Sequence, residues 1–143
     1  LDVTIQAQIF ELLLKLRGGD TAVLLITHDM GVVWEVCDRV HVMYAARLAE
    51  KGPREAVFAS PAHPYTRGLL AAMPRLHGNV ERLPDIPGQL PVLANPPPGC
   101  RFAPRCPLAR PVCREKAPEL RSLGPDREVA CWDGIWSEAE RHG

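Results

Sequence analysis

Two sets of residues have the types and spacing to do chemistry. The first is His28, which with Asp29 closes the apolar run Ala22 to Asp29, AVLLITHD. The carboxyl end of a strand in an open α/β sheet is where ligands collect, and an imidazole placed there can donate a hydrogen bond at neutral pH without carrying a full charge. Asp29 suits a different task, capping a helix that starts at Met30. The second set is Cys100, Cys106, Cys113 and Cys131, separated by five, six and seventeen residues, with Pro104, Pro107 and Pro111 stiffening the loops between them. Four thiolates converging on a metal would order a segment poor in large apolar residues. The spacing is neither the bacterial ferredoxin run nor a paired zinc ribbon, so an iron–sulfur cluster, zinc and disulfides all remain open on spacing alone.

The elements that must position these residues read as follows. Ile5, Ile9, Leu13 and Leu16 recur at helical spacing after Asp2, an apt N-cap, and Gly18-Gly19 ends that helix. Thr21 to Thr27 reads as a buried strand, apolar on both faces through Val23, Leu24, Leu25 and Ile26, as in a covered parallel sheet. A short helix follows His28, then a strand from Arg39 to Met43 and a hairpin partner from Arg47 to Lys51, closed by a Gly52-Pro53 turn. Pro53 suits the first position of a helix to Phe58, and Tyr65, Leu69, Met73 and Leu76 stripe another. Helix, strand, helix, strand predicts a doubly wound α/β pattern up to about residue 76. Eleven of the 15 prolines lie between Pro84 and Pro125, so residues 77–143 read as an extension held together by something other than a large core.

Composition excludes several roles. Formal net charge is zero and both halves are balanced, so no global field recruits nucleic acid or an anionic membrane. No apolar run approaches the roughly 20 residues a bilayer-spanning helix needs. The absence of a starting methionine and the immediate entry into a helix suggest a chain whose amino-terminal part is missing. No GxxxxGK[ST] phosphate loop and no LSGGQ motif is present.

The segments LDVTIQAQI, LLITHDMGVV, CDRVHVMYAARLAEKGP and SPAHPYTRGLLAAMPRL, followed by the cysteine-rich tail, resemble the carboxyl-terminal half of the ATP-binding subunit of an oligopeptide/dipeptide ABC importer. Thr27-His28-Asp29 is shared by ABC ATPases generally, while His63-Pro64-Tyr65-Thr66 and the cysteines point to the peptide-importer branch. The resemblance implies an α/β fold comprising the carboxyl-terminal part of a P-loop NTPase domain, residues 1–76, and a proline- and cysteine-rich extension, residues 77–143. It implies that His28 is the switch histidine facing the γ-phosphate of ATP, and that Asp2 ends a D-loop at the interface with a second ATPase subunit. It favours a [4Fe–4S] cluster on Cys100, Cys106, Cys113 and Cys131, with zinc the alternative; a reducing cytoplasm argues against disulfides. ATP and Mg²⁺ would bind mostly through residues that precede Leu1, so this chain alone is expected to be inactive as an ATPase.

The implied partners are that second subunit, identical or a paralogue, transmembrane permease subunits and, indirectly, an extracytoplasmic solute-binding protein, with no nucleic acid. The implied location is peripheral, on the cytoplasmic face of the cell membrane. The family's usual glycine after MYA is Ala46 here, which places a slight alteration in the hairpin.

The rival reading is a non-enzymatic module in which a metal-bound cysteine centre mediates binding and the α/β part is scaffold. Hydrolase chemistry from His28 and Asp29 lacks a nucleophile elbow or a metal triad. Arg101, Arg105, Arg110, Arg114 and Lys116 against Glu115 give the tail a local positive surplus suited to a metal–thiolate centre of either metal. Cys37 reads as a small buried hydrophobe, His63 as a helix cap, and His41 as a surface or packing residue. Trp132 could equally shield a centre or pack generally, and Met30, Met43 and Met73 read as core filler.

Overall fold

The computed structural model describes residues 3–18, 20–73 and 86–133. The chain forms two compact units, Leu1–Asp38 and Arg39–Gly143. Asp2 and Leu76 lie outside the described residues.

In the first unit, helix α1 spans Val3–Leu16 and helix α2 spans Met30–Val36. Glu11 and Lys15 pair across one turn of α1 at 2.8 Å, and Arg17 holds Asp38 and the carbonyl of Val36. The expected buried strand from Thr21 to Thr27 is not formed: the segment has a single bridge, Gly18 to Thr21, and no regular secondary structure. Leu24 and Ile26 are 87% and 89% exposed. An apolar strand becomes a strand only when neighbours take its backbone groups and side chains, and none among the described residues does so. The stripe of α1 is likewise uncovered, with Ile5, Ile9 and Leu16 exposed.

The second unit is built on an antiparallel sheet of order β1-β2-β4-β3, whose β1–β2 pair is the expected hairpin and to which the tail adds two strands that the α/β pattern did not anticipate. Strand β1 is Arg39–Tyr44 and β2 is Arg47–Pro53; β3 is Arg121–Ser122 and β4 is Glu128–Val129. The sheet therefore joins the hairpin to the tail, across the boundary expected near residue 76. In β1 Val40, Val42 and Tyr44 point inward while Arg39, His41 and Met43 point outward, as the period of two requires. Met43 is thus 58% exposed, not core filler.

A bulge interrupts the pairing: Val42 faces Glu50 and Met43 faces Leu48, so Ala49 is the extra residue. The consequence is that Ala49 and Glu50 are both buried. The two-residue turn between the strands has positive φ at Ala45 (47°) and Ala46 (62°), the geometry that glycine and asparagine adopt most easily. Gly52 and Pro53 lie within β2 rather than in a turn.

Helix α3, Arg54–Ala59, starts one residue after Pro53 and packs on β2 and β1. Helix α4, Pro64–Ala71, ends before Met73, shorter than its sequence stripe. Chain reversals around a short 3₁₀ turn, Ala103–Arg105, and helix α5, Pro111–Glu115, carry Cys100, Cys106 and Cys113, while Cys131 follows β4. No helix among the described residues is long and apolar enough to cross a membrane.

Candidate functional site: a four-cysteine cavity

Cys100, Cys106, Cys113 and Cys131 line one cavity, walled by Phe102, Leu108, Trp132 and His63. Four positions spread over 32 residues of sequence are brought there by two close backbone approaches. Gly99 passes so near the chain at Cys113 that a Cβ would lie 2.3 Å from the Cys113 carbonyl oxygen, and the Cys100 N–H donates to that same carbonyl at 2.7 Å. Cys131 arrives directly after β4, where the Ala130 N–H donates to the Ala49 carbonyl at 2.8 Å. Trp132 is pinned by its indole N–H on the Lys116 carbonyl at 2.9 Å, and the Arg121 guanidinium lies 4.7 Å from the Trp132 ring.

Every one of the four sulfurs has a backbone N–H near it. Arg110 N–H donates to Cys113 Sγ at 3.4 Å, and Asp133 N–H donates to Cys131 Sγ at 3.3 Å. Backbone N–H groups of Phe102 and Ala103 serve Cys100, and that of Leu108 serves Cys106. Such donors favour a thiolate over a thiol. Burial opposes them: desolvation raises the Cys100 and Cys106 thiols above the usual cysteine range and pushes Cys131 up to about 11. A cation in the cavity would reverse that balance at Cys100, Cys106 and Cys131. Among the described residues no three His, Cys, Asp or Glu side chains form a ready metal site.

His63 forms one wall of this cavity and was legible in the sequence only as a cap. It is that: its Nδ1 accepts from the Tyr65 N–H at 3.0 Å at the start of α4. It is also 3% exposed. Desolvation lowers its pKa to about 4, with Arg67 acting in the same direction and Glu50 against it. Its ring packs on Phe102 at 5.7 Å, and Phe102 meets Tyr44 and Tyr65 at 5.1 and 5.5 Å. This aromatic cluster ties the hairpin, α4 and the cysteine loops together. His63, Cys100 and Phe102 also border a wider cleft of about 640 Å³, with Tyr44, Pro97 and Leu120.

Behind His63 lies a buried network that sequence reading missed. Glu50, fully buried by the bulge, accepts from the N–H groups of Ala62 at 3.0 Å and His63 at 2.9 Å, and pairs with Arg127 at 2.9 Å. Arg127 also donates to the Ser60 carbonyl. Nothing local in the sequence signals a pair 77 residues apart. Arg105 is a second such tie, donating to the carbonyls of Ile86 and Pro87 and to the Tyr44 hydroxyl.

In the other unit, His28 is exposed immediately before α2. Asp29 caps that helix, its Oδ1 accepting from Gly31 and Val32 N–H, while its own N–H donates to Thr27 Oγ1 at 3.1 Å. Cys37 ends α2 half-buried rather than buried, because it sits at the helix cap.

Residues 49–113 match the family described as oligopeptide/dipeptide transporter, C-terminal region. The chain resembles ATP-binding subunits of peptide ABC transporters over most of its length. It is 53% identical to a probable peptide ABC transporter ATP-binding protein of Sinorhizobium fredii, over 92% of this chain and 40% of that protein. It is 51% identical to the dipeptide transport ATP-binding protein of Bacillus subtilis, over 92% and 40%. With the oligopeptide transport ATP-binding protein of Haemophilus influenzae it shares 50%, over 92% and 41%. The chain thus spans about two fifths of the length of the relatives it matches.

Proposed function

We propose that this chain is the carboxyl-terminal part of an ATP-hydrolysing subunit that powers import of di- and oligopeptides, working at the cytoplasmic face of the membrane with a second ATPase subunit and transmembrane permease subunits. The observation that carries the reading is the similarity of 50–53% across 92% of the chain to proteins named for peptide, dipeptide and oligopeptide transport. ATP is the substrate, with Mg²⁺ held by residues that precede Leu1 in the complete subunit. An extracytoplasmic binding protein delivers the peptide.

Within that subunit, His28 donates a ring N–H to the γ-phosphate, stabilising the charge that develops as the phosphoryl group is attacked. The Asp29 cap and the Thr27 hydroxyl fix the turn that presents it. Asp2 serves the interface with the second ATPase subunit. Uncovered apolar residues of the first unit, Leu24 and Ile26 foremost, fit a segment that completes a larger sheet. Replacing His28 by alanine in the complete subunit, assembled with its partners, lowers steady-state hydrolysis by on the order of 10²-fold while leaving ATP binding in place. Activity within about twofold of the parent overturns the assignment.

The second part of the proposal is a metal–thiolate centre on Cys100, Cys106, Cys113 and Cys131. Its support is one cavity, four sulfurs and a backbone N–H for each. The resemblance to peptide-importer ATPases favours a [4Fe–4S] cluster, with zinc, held by four thiolates at about 2.3 Å, the alternative. When bound, the centre cross-links loops that have little core of their own. Its role is structural: Gly99, Cys113 and β4 are held in one arrangement, and through the sheet the tail is fixed to the hairpin.

A further inference from the structure

His63 does more than cap a helix. Its Nδ1 is occupied as an acceptor for the Tyr65 N–H, so the neutral ring carries its proton on Nε2. That ring is 3% exposed and borders the cavity of the four cysteines. The backbone at His63 is fixed by the buried Glu50 carboxylate, which accepts from the N–H groups of Ala62 and His63 and is itself held by Arg127. A neutral imidazole of locked tautomer, its backbone held by Glu50, lines the same cavity as the four cysteines and is a preorganised hydrogen-bond donor.

We propose that His63, through Nε2–H, is the side-chain donor to a sulfur of the metal–thiolate centre, and that it tunes the reduction equilibrium of that centre. The inference rests on the cluster reading given above. Reduction adds negative charge to the sulfurs, and a donor aimed at them stabilises the reduced form more than the oxidised one, raising the potential. Glu50 and Arg127 are positioning residues: they set where the ring stands and touch no sulfur through their own hydrogen bonds.

Two substitutions separate the donor from the cap. His63→Asn keeps a short acceptor that can cap α4 but has no group at the place of Nε2. His63→Gln loses the cap geometry but can return an N–H to that place. The full chain and both variants are purified without oxygen, assayed for iron, titrated with dithionite in the presence of mediators, and compared by resonance Raman spectroscopy of the iron–thiolate stretch, which needs no reduction.

The expected result is unchanged iron content, with the reduction equilibrium of His63→Asn shifted at least tenfold toward the oxidised form, a fall of about 59 mV for one electron. A higher iron–thiolate frequency accompanies it, and His63→Gln stays nearer the parent. Iron-loaded His63→Asn that matches the parent in both potential and frequency overturns the donor role while the cluster stands. Equal shifts in the two variants also overturn it, since the effect would then follow loss of the ring. A parent protein without iron overturns the cluster reading, and the inference falls with it.

Discussion

Leu1–Asp38 leaves the apolar stripe of α1 and the run before His28 exposed, with Val33 the buried hydrophobe among its described residues. Arg39–Gly143 buries Val40, Val42, Tyr44, Val57, Phe102 and Val129 around a four-stranded sheet and a charged pair. The first unit has good local signals, a capped helix and an apolar run, yet encloses little. The second has a proline-rich tail with weak local signals, yet encloses a great deal, because its tail is an integral part of the sheet. Periodicity records what a segment is prepared to bury, and burial itself depends on which partners reach it.

The contrast can be broken from the second unit's side. Glu50→Ala leaves the Arg127 guanidinium buried without its partner and frees the N–H groups of Ala62 and His63, a loss of about 3–5 kcal/mol. Urea unfolding followed by Tyr44 and Tyr65 fluorescence reads it, while the helical circular dichroism of α1 should be indifferent. Loss below about 1 kcal/mol would mean that the network is incidental to the second unit's stability.

A smaller effect sharpens the picture at the cysteines. In Gly99→Ala the new Cβ meets backbone atoms of Cys113 and Arg114, which cannot swing aside as a side chain can. The expected cost is about 1–3 kcal/mol, together with poorer metal retention through gel filtration. Retention equal to the parent would show that Cys100 and Cys113 do not need this close approach.

The smallest expected change is a gain. Ala45 and Ala46 both hold positive φ in the hairpin turn, a conformation that costs a residue with a Cβ roughly 1–2 kcal/mol. Ala46→Gly, which removes the Cβ at a positive-φ position, stabilises the second unit by about 1 kcal/mol in the same unfolding assay. Destabilisation would mean that the turn in solution differs from the one described.

What the sequence made legible was local. The Asp29 cap, the His63 cap and a hairpin pairing a strand from Arg39 with one from Arg47 all follow from short-range pattern. The rest depends on contacts distant in sequence. A strand at Thr21 to Thr27 requires neighbours that pattern cannot supply. The bulge at Ala49 shifts Glu50 from the face that strict alternation assigns it, and its partner Arg127 sits 77 residues away. His63 was read correctly as a cap, but a second role for the same ring depends on cysteines at least 37 residues later in the chain.

The most direct test of the account is metal analysis of the anaerobically purified chain, beside Cys→Ser variants at each of Cys100, Cys106, Cys113, Cys131 and Cys37. The expected protein is brown, with about four irons per chain and broad absorption near roughly 400 nm. Serine at any of the four cavity positions bleaches it and loosens residues 96–132 in hydrogen exchange, while Cys37→Ser changes neither. A colourless chain holding about one zinc and no iron would contradict the cluster, and a metal-free chain with those residues fully protected would contradict the metal centre altogether.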